Sequence, residues 1–376
     1  MNQDLQKLND ETVAIVLTKL EPISAFLKND STFEIVINRP YQVMVEGIEG
    51  WKTIEVPTLS FHELMGIAKV VAAYSKQNIS DKNPILSATL PGNERIQIVI
   101  PPAVEQNTIS MTIRKPSSQS FSLESLAKRE LFSLCEQVSF TPLKDYQSRL
   151  HELKNIEHDL VTSYYNKDFV SFLNQAVERQ KNILISGKTG SGKTTLSKAL
   201  IAKIPHNERI LTIEDTPELV VPQPNHVSMI YSKDGQGLAS VGPKELLESA
   251  LRMRPDRILL QELRDGTAFY YIRNVNSGHP GSITTVHAST ALAAFEQMTL
   301  LVKESEGGGD LERDDIRGLL ISMIDIIVQC KRVEGKFKVT EIYYDPFKQR
   351  NIFGGDEPHR LHKSSLSLKI NERKNH

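Results

Sequence analysis

The chain has 376 residues, 39% of them hydrophobic and 24% charged, with a formal net charge of −1 and two cysteines, Cys135 and Cys330. That length is enough for two domains, each burying its own core. The near-neutral balance gives no general pull towards nucleic acid, and two cysteines exclude a disulfide framework or a four-cysteine zinc site.

In chain order, the opening "MNQDLQKLNDETVAIV" carries Asp4 and Asp10 and has no apolar core of signal-peptide length. The longest apolar run, "LLISMIDIIVQC", is about 12 residues and contains Asp325, short of a membrane span. A cytosolic protein is predicted, with peripheral membrane attachment left open. Residues 31–114 read as mostly β. "TFEIVINRPYQVMVE" alternates apolar and polar residues around Asn38-Arg39-Pro40, a hairpin pattern, and "FHELMGIAKVVAAYSKQ" has helical spacing.

The next two strands allow a register to be written. "ERIQIVI" puts Ile96, Ile98 and Ile100 on one face, and "TISMTIR" puts Ile109, Met111 and Ile113 on one face. Antiparallel pairing of these faces sets Arg95 opposite Arg114. Two adjacent guanidinium groups repel unless an anion sits between them. The alternatives are two solvated strand-end arginines or a slipped register.

Residues 116–167 read as a helical linker, two helices joined at "SFTPLKD", with Tyr146, Leu150, Leu153, Ile156 and Leu160 as a narrow apolar stripe. The segment is long for a connection. From Asp168 onwards strands and helices alternate to about Tyr344, which predicts an α/β fold with a mostly parallel sheet. The expected division is an α+β N-terminal domain (1–115), the linker (116–167), an α/β domain (168–350) and a polar tail (351–376) that reads as disordered.

"GKTGSGKT", Gly187-Lys188-Thr189-Gly190-Ser191-Gly192-Lys193-Thr194, fills every fixed position of the P-loop pattern. An apolar strand, Ile183 to Ile185, precedes it, and a helix beginning near Thr195 follows. Such a loop curls its backbone N–H groups around a phosphate at a helix N-terminus. Lys193 is expected on the β- and γ-phosphates of ATP and the Thr194 hydroxyl on Mg²⁺.

"RPDRILLQELRD" reads as a buried strand ending in Gln261-Glu262, where many ATP-hydrolysing folds end in Asp-Glu. Another strand, "ERILTIEDTPEL", ends in Glu214-Asp215. Strand ends in open α/β folds face the ligand crevice. Glu214, as a catalytic carboxylate, and Asp215, towards the metal, are therefore candidates to supply the acid missing at Gln261. The alternative for Asp215 is a cap on the turn before Pro217. Glu262 is the candidate for orienting the attacking water; otherwise it is a surface acid paired with Arg264. In "SGHPGSITTVHAST", His287 ends a strand and His279 lies in a glycine-flanked loop. A neutral imidazole can sense a γ-phosphate or a water, although a lone histidine is more often structural.

Four blocks in this order, "GKTGSGKTT", "TIEDTPEL", "RPDRILLQELRD" and "GHPGSITTVHA", resemble the P-loop, Asp box, atypical Walker B and His box of the secretion-superfamily traffic ATPases. "ALRMRPDRILL", "YIRNVNSGHPGSITTVHAS", "ERIQIVIPP" and "TIRKPS" resemble the VirB-eleven family of the type IV secretion branch, over about residues 30–345. The resemblance implies an α+β N-terminal domain and a RecA-like C-terminal domain with nucleotide between them. It also implies a homohexameric ring at the cytoplasmic face of the inner membrane, working with the inner-membrane and other ATPase components of the secretion system. ATP hydrolysis would power pilus assembly or substrate export, and Arg95 and Arg114 would reach the terminal phosphate. Gln261 departs from the family, which commonly has Gly there. The competing readings are a type II secretion or twitching-pilus motor, a nucleic-acid translocase and a non-hydrolysing scaffold. The net charge and single tryptophan argue against direct nucleic-acid binding.

Overall fold

Alternating patterns in the first third of the chain and continuous apolar runs in the rest lead to two different kinds of sheet in a computed structural model of the chain. It describes residues 2–47, 50–115, 120–153, 155–231, 241–264, 266–276, 278–305 and 307–348; Asp265 and the polar tail 351–376 lie outside them. The fold is mixed α/β and divides into two units.

The first unit gathers residues 1–119 with 214–218 and 230–246. Helices α1 (Asn2–Lys19) and α2 (Ser24–Lys28) precede β1 (Thr32–Arg39), β2 (Gln42–Gly47) and β3 (Gly50–Glu55). Then come α3 (Phe61–Tyr74), β4 (Ile85–Thr89), β5 (Arg95–Val99) and β6 (Ser110–Arg114). The six strands form one sheet in the order β3-β2-β1-β6-β5-β4. Alternation buries Ile35, Ile37, Val43, Ile96, Ile98, Met111 and Ile113 against Leu64, Ile67 and Val71 of α3. Helix α3 starts where Ser60 Oγ accepts the Glu63 N–H at 3.2 Å, one half of a Ser-x-x-Glu capping box. The β5–β6 register is the one the alternation predicts: Arg95 faces Arg114, Gln97 faces Thr112 and Val99 faces Ser110.

The second unit gathers residues 120–213, 219–229 and 247–376. It begins with α4 (Leu123–Lys128), β7 (Glu136–Val138), α5 (Tyr146–Arg149), α6 (Asn155–Tyr165) and α7 (Phe169–Glu178). Next in chain order are β8 (Ile183–Gly187), α8 (Lys193–Ile201), β9 (Ile210–Glu214), β10 (His226–Ile230) and α9 (Pro243–Ala250), of which residues 214, 230 and 243–246 fall in the first unit. The last are β11 (Arg257–Leu260), α10 (Thr267–Asn276), β12 (Ile283–Val286), α11 (Ala291–Lys303), α12 (Arg313–Met323), β13 (Ile326–Val333) and β14 (Lys336–Tyr344). Strand orders are β10-β9-β11 and β12-β8-β13-β14-β7. The parallel bridge Glu262–Thr285 joins the strand end after β11 to β12. β8, β9, β11 and β12 are buried at every position, as strands covered on both faces must be.

The segment expected to form two linker helices differs. Helix α4 is six residues long, and the chain then supplies β7, which pairs parallel with β14. The stripe from Tyr146 breaks into α5, a 3₁₀ turn at Leu150–Glu152 and an extended Leu153 before α6. Tertiary contacts override the helical period here. Tyr146 is fully buried, its hydroxyl on Ser139 Oγ (2.8 Å) and the Tyr344 carbonyl (2.7 Å), and the Tyr164 hydroxyl reaches the Ile342 carbonyl at 2.8 Å. Leu123, Leu126, Leu131, Tyr146, Leu160 and Tyr164 belong to the core of the second unit. The apolar run "LLISMIDIIVQC" likewise splits between α12 and β13, with Asp325 at the break holding the Asn182 N–H and the Lys348 ammonium.

Candidate active site

The loop between β8 and α8 carries the phosphate-binding pattern in strand–loop–helix context. Two glycines are required by their surroundings. A Cβ at Gly187 would collide with the Cys330 carbonyl and the Ser191 hydroxyl; at Gly192, where φ is +90°, it would meet the Phe337 ring at 3.0 Å. Lys193, the first residue of α8, donates to the carbonyls of Gly187 (2.7 Å) and Lys188 (3.1 Å). The open cleft beside it, about 520 Å³, is lined by Lys188, Thr189, His287 and Ala288. Gly190 is exposed, Ser191 is buried, and Thr194 and Thr195 lie half-buried in the first turn of α8.

From Lys193 the contacts continue to the strand ends. Lys193 Nζ lies 3.4 Å from His287 Nδ1, and His287 Nε2 lies 2.6 Å from Glu262 Oε1. An ammonium can only donate, so Nδ1 accepts and the proton of a neutral imidazole sits on Nε2, the nitrogen that faces Glu262. The neutral form is favoured: burial lowers the His287 pKa, and Lys193 and Arg264 lower it further against the opposing pull of Glu262. The other Glu262 oxygen accepts from Arg264. Burial pushes the Glu262 pKa up, but the Arg264 hydrogen bond and the charges of Arg264, His287 and Lys193 outweigh it and hold the acid below its ordinary value. The alternative pairing with Arg264 is thus present together with the His287 contact, and the side chain is only 16% exposed.

The Asp-box residues take other partners. Glu214 is buried and its Oε1 accepts the Glu218 N–H at 2.9 Å, so Glu214, not Asp215, closes the turn around Pro217. Within the first unit, Asp215 is paired with Arg95, whose Nε also lies 2.9 Å from Glu218. Arg114, exposed, lies between Arg95 and Glu34 in the sheet register. Glu34 is raised above its ordinary value, mainly by burial; Arg114 opposes the rise and Glu46 adds to it. Each arginine is thus set against the protein's own carboxylates, Arg95 with Asp215 and Glu218 and Arg114 beside Glu34.

His279 lies half-buried between Gly278 and Gly281, with no hydrogen bond or ion pair among the described residues. Gln261 is tied by its backbone, its N–H to the Ile213 carbonyl (3.1 Å) and its carbonyl to the Thr285 hydroxyl (3.0 Å). Sequence reasoning missed Arg257. Its side chain is fully buried, with Nε and Nη2 on Glu208 at 2.5 and 2.9 Å and Nη1 on the Gly281 carbonyl at 3.4 Å. The available signal was a charged residue opening an otherwise apolar strand.

Among the described residues no three His, Cys, Asp or Glu side chains cluster as a metal site, and no helix is long and apolar enough to cross a membrane. A phosphate loop on a mainly parallel sheet, with a lysine, a histidine and a glutamate converging at its mouth, defines a P-loop ATPase. A family model described as Type II/IV secretion system protein matches residues 17–334. The chain is 89% identical over 356 residues to the Type IV secretion system protein VirB11 of Bartonella quintana (strain Toulouse), spanning 95% of this chain and 100% of that protein. The solved VirB11 ATPase from the Brucella suis type IV secretion system, in complex with sulphate, matches at 39% identity and TM-score 0.50, over 92% of this chain and 98% of that one. The Legionella pneumophila ATPase DotB, at 17% identity and TM-score 0.53 over 95% and 85% of the two chains, shares the fold. The chain belongs to the type II/IV secretion system family, in its VirB11 branch of type IV secretion ATPases.

Proposed function

We propose that the chain is the hexameric motor of a type IV secretion system, hydrolysing ATP at the inner face of the inner membrane to drive pilus assembly or substrate export. The observation that carries this reading is the continuous contact Lys193–His287–Glu262. It links the group that binds phosphate to the group that orients water, so occupancy of one is felt by the other. In the proposed architecture an α+β N-terminal domain (1–115) accompanies a RecA-like ATPase domain (168–350).

ATP enters with its phosphates on the backbone N–H groups of residues 187–194, and Thr195 next to them. The β- and γ-phosphates take the Lys193 ammonium from the loop carbonyls. His287, relieved of Lys193, has Nδ1 free to accept a hydrogen bond from the attacking water, while Nε2–H keeps Glu262 in place. Glu262 accepts the hydrogen bond that orients the attacking water. His279 is assigned to the nucleotide from its place in the glycine-flanked loop of the His box.

One hydroxyl, Thr194, with no acidic cluster beside it among the described residues, fits a cation that keeps phosphate and water ligands. Bound Mg²⁺ would neutralise charge on the β- and γ-phosphates. Asp215 could join its outer ligands only after giving up Arg95, and Glu214 serves the same strand end by holding the turn. Arg95 and Arg114 are assigned to the terminal phosphate; Arg95 must likewise leave Asp215 and Glu218. Sedimentation velocity with steady-state ATP turnover on the full chain tests the reading. A hexamer that hydrolyses ATP supports it, and a chain that binds ATP, assembles and never turns it over contradicts it.

A further inference from the structure

Glu262 is followed two residues later by Arg264, and the intervening Leu263 is buried. The backbone is extended there: Glu262 bridges Thr285 in parallel, and the Leu263 N–H donates to the Thr285 carbonyl at 2.8 Å. In an extended chain residues two apart share a face. Glu262 and Arg264 therefore point to the same side, away from the core, and the guanidinium reaches the carboxylate oxygen that His287 does not hold. Arg264 is itself fixed. Its N–H donates to Thr267 Oγ1 at 3.1 Å, and its carbonyl accepts from the Thr267 N–H at 3.1 Å, at the first residue of α10.

We propose that Arg264 is a positioning residue for ATP hydrolysis: it anchors one oxygen of Glu262 while His287 anchors the other, so that the remaining lone pairs of the carboxylate are aimed at the attacking water. Each carboxylate oxygen has two acceptor directions, so one donor on each still leaves the water its place. The anchoring also keeps the acid ionised. Among the described residues, Arg264, His287 and Lys193 are charged or titratable groups that act on Glu262; Lys193 belongs to the phosphate loop and His287 contacts Lys193, whereas Arg264 follows Glu262 on the same strand end. It therefore stays on Glu262 when ATP draws Lys193 away. The inference rests on the assignment of Glu262 to the water.

The test is the pH profile of steady-state ATP turnover for the full-length chain and for Arg264→Ala, Arg264→Lys and Glu262→Gln, with ATP binding measured in parallel. A carboxylate misplaced by about 1 Å can cost roughly 10²-fold, so Arg264→Ala should lose roughly 10–100-fold in kcat with ATP affinity little changed. Its acid limb should move to higher pH, because a charge that depressed Glu262 is gone; His287, also depressed by Arg264, moves the same way. Arg264→Lys keeps the charge without the fork geometry, so it should restore the acid limb but only part of kcat. Should the alanine variant fail to fold, the lysine variant decides: reduced kcat with an unmoved acid limb supports the role, and wild-type kcat overturns it. Arg264→Ala with unchanged turnover, with raised turnover, or with a loss confined to ATP affinity overturns the inference. If Glu262→Gln is inactive while Arg264→Ala is normal, the inference alone fails. If Glu262→Gln hydrolyses like wild type, the assignment beneath it fails.

Discussion

Replacing Arg257 with methionine should destabilise the second unit more than any surface change. The Arg257 side chain is 0% exposed and that of Glu208 12%, and the two meet through a two-pronged ion pair with a third bond to Gly281. Arg257→Met fills much of the volume but leaves the Glu208 carboxylate nearly buried and without its counter-charge. Breaking a buried pair in this way costs about 3–5 kcal/mol. A unit of this size shifts by about 2–4 °C per kcal/mol, so its calorimetric transition should fall by roughly 6–20 °C. Most of that cost is the orphaned charge, so Arg257→Met combined with Glu208→Leu should recover most of the loss. A single variant melting within about 2 °C of wild type, or a double variant no better than the single, would refute the reasoning. Turnover belongs in the same experiment, because β11 begins at Arg257 and leads directly into Glu262.

Three other outcomes follow from the site. Gly192→Ala places a Cβ at φ +90° against Phe337, costing about 1–2 kcal/mol from the backbone alone; ATP binding should weaken, and adding Phe337→Ala should relieve the ring clash without restoring the backbone term. Below pH 6.5 the folded chain resists protonating His287 while the unfolded chain does not, so stability is complete above 6.5 and falls as pH drops towards the lowered folded value. His287→Gln should therefore flatten the decline in melting temperature between pH 7.5 and 5.5, leaving the share due to His226, which burial also lowers. Arg95→Ala should reduce turnover by roughly 10³-fold or more if its guanidinium serves the terminal phosphate, whereas a change within about threefold would leave it only the ion-pair role with Asp215 and Glu218.

What was legible in the sequence follows from how local the determining physics is. The pairing of Arg95 with Arg114 could be written in advance, because alternation over five residues fixes which face is buried and a one-residue slip would expose every isoleucine. The phosphate loop was legible for the same reason: its glycines are demanded by the backbone itself. The opposite case is β7, three residues in a stretch with helical spacing, whose strand state comes from pairing with β14 two hundred residues away. Tyr146 read as a member of a helical stripe, but the hydrogen-bond demand of its buried hydroxyl broke it. Within the site the residue types were visible and their partners were not. Glu214 and Asp215 were both read as strand-end acids serving the nucleotide, with a turn cap as the alternative for Asp215; in the structure Glu214 closes the turn and Asp215 meets Arg95. Buried Arg257 shows the same limit, since Glu208 and Gly281 come together only in the folded sheet.

The central claim, that Glu262 orients the water in a site organised by Lys193 and His287, is tested most directly by measuring ATP affinity and single-turnover hydrolysis of Glu262→Gln beside wild type. The account predicts near-wild-type affinity with hydrolysis slowed by roughly 10²–10⁴-fold. Hydrolysis at the wild-type rate would contradict it and move the water-orienting role to another group.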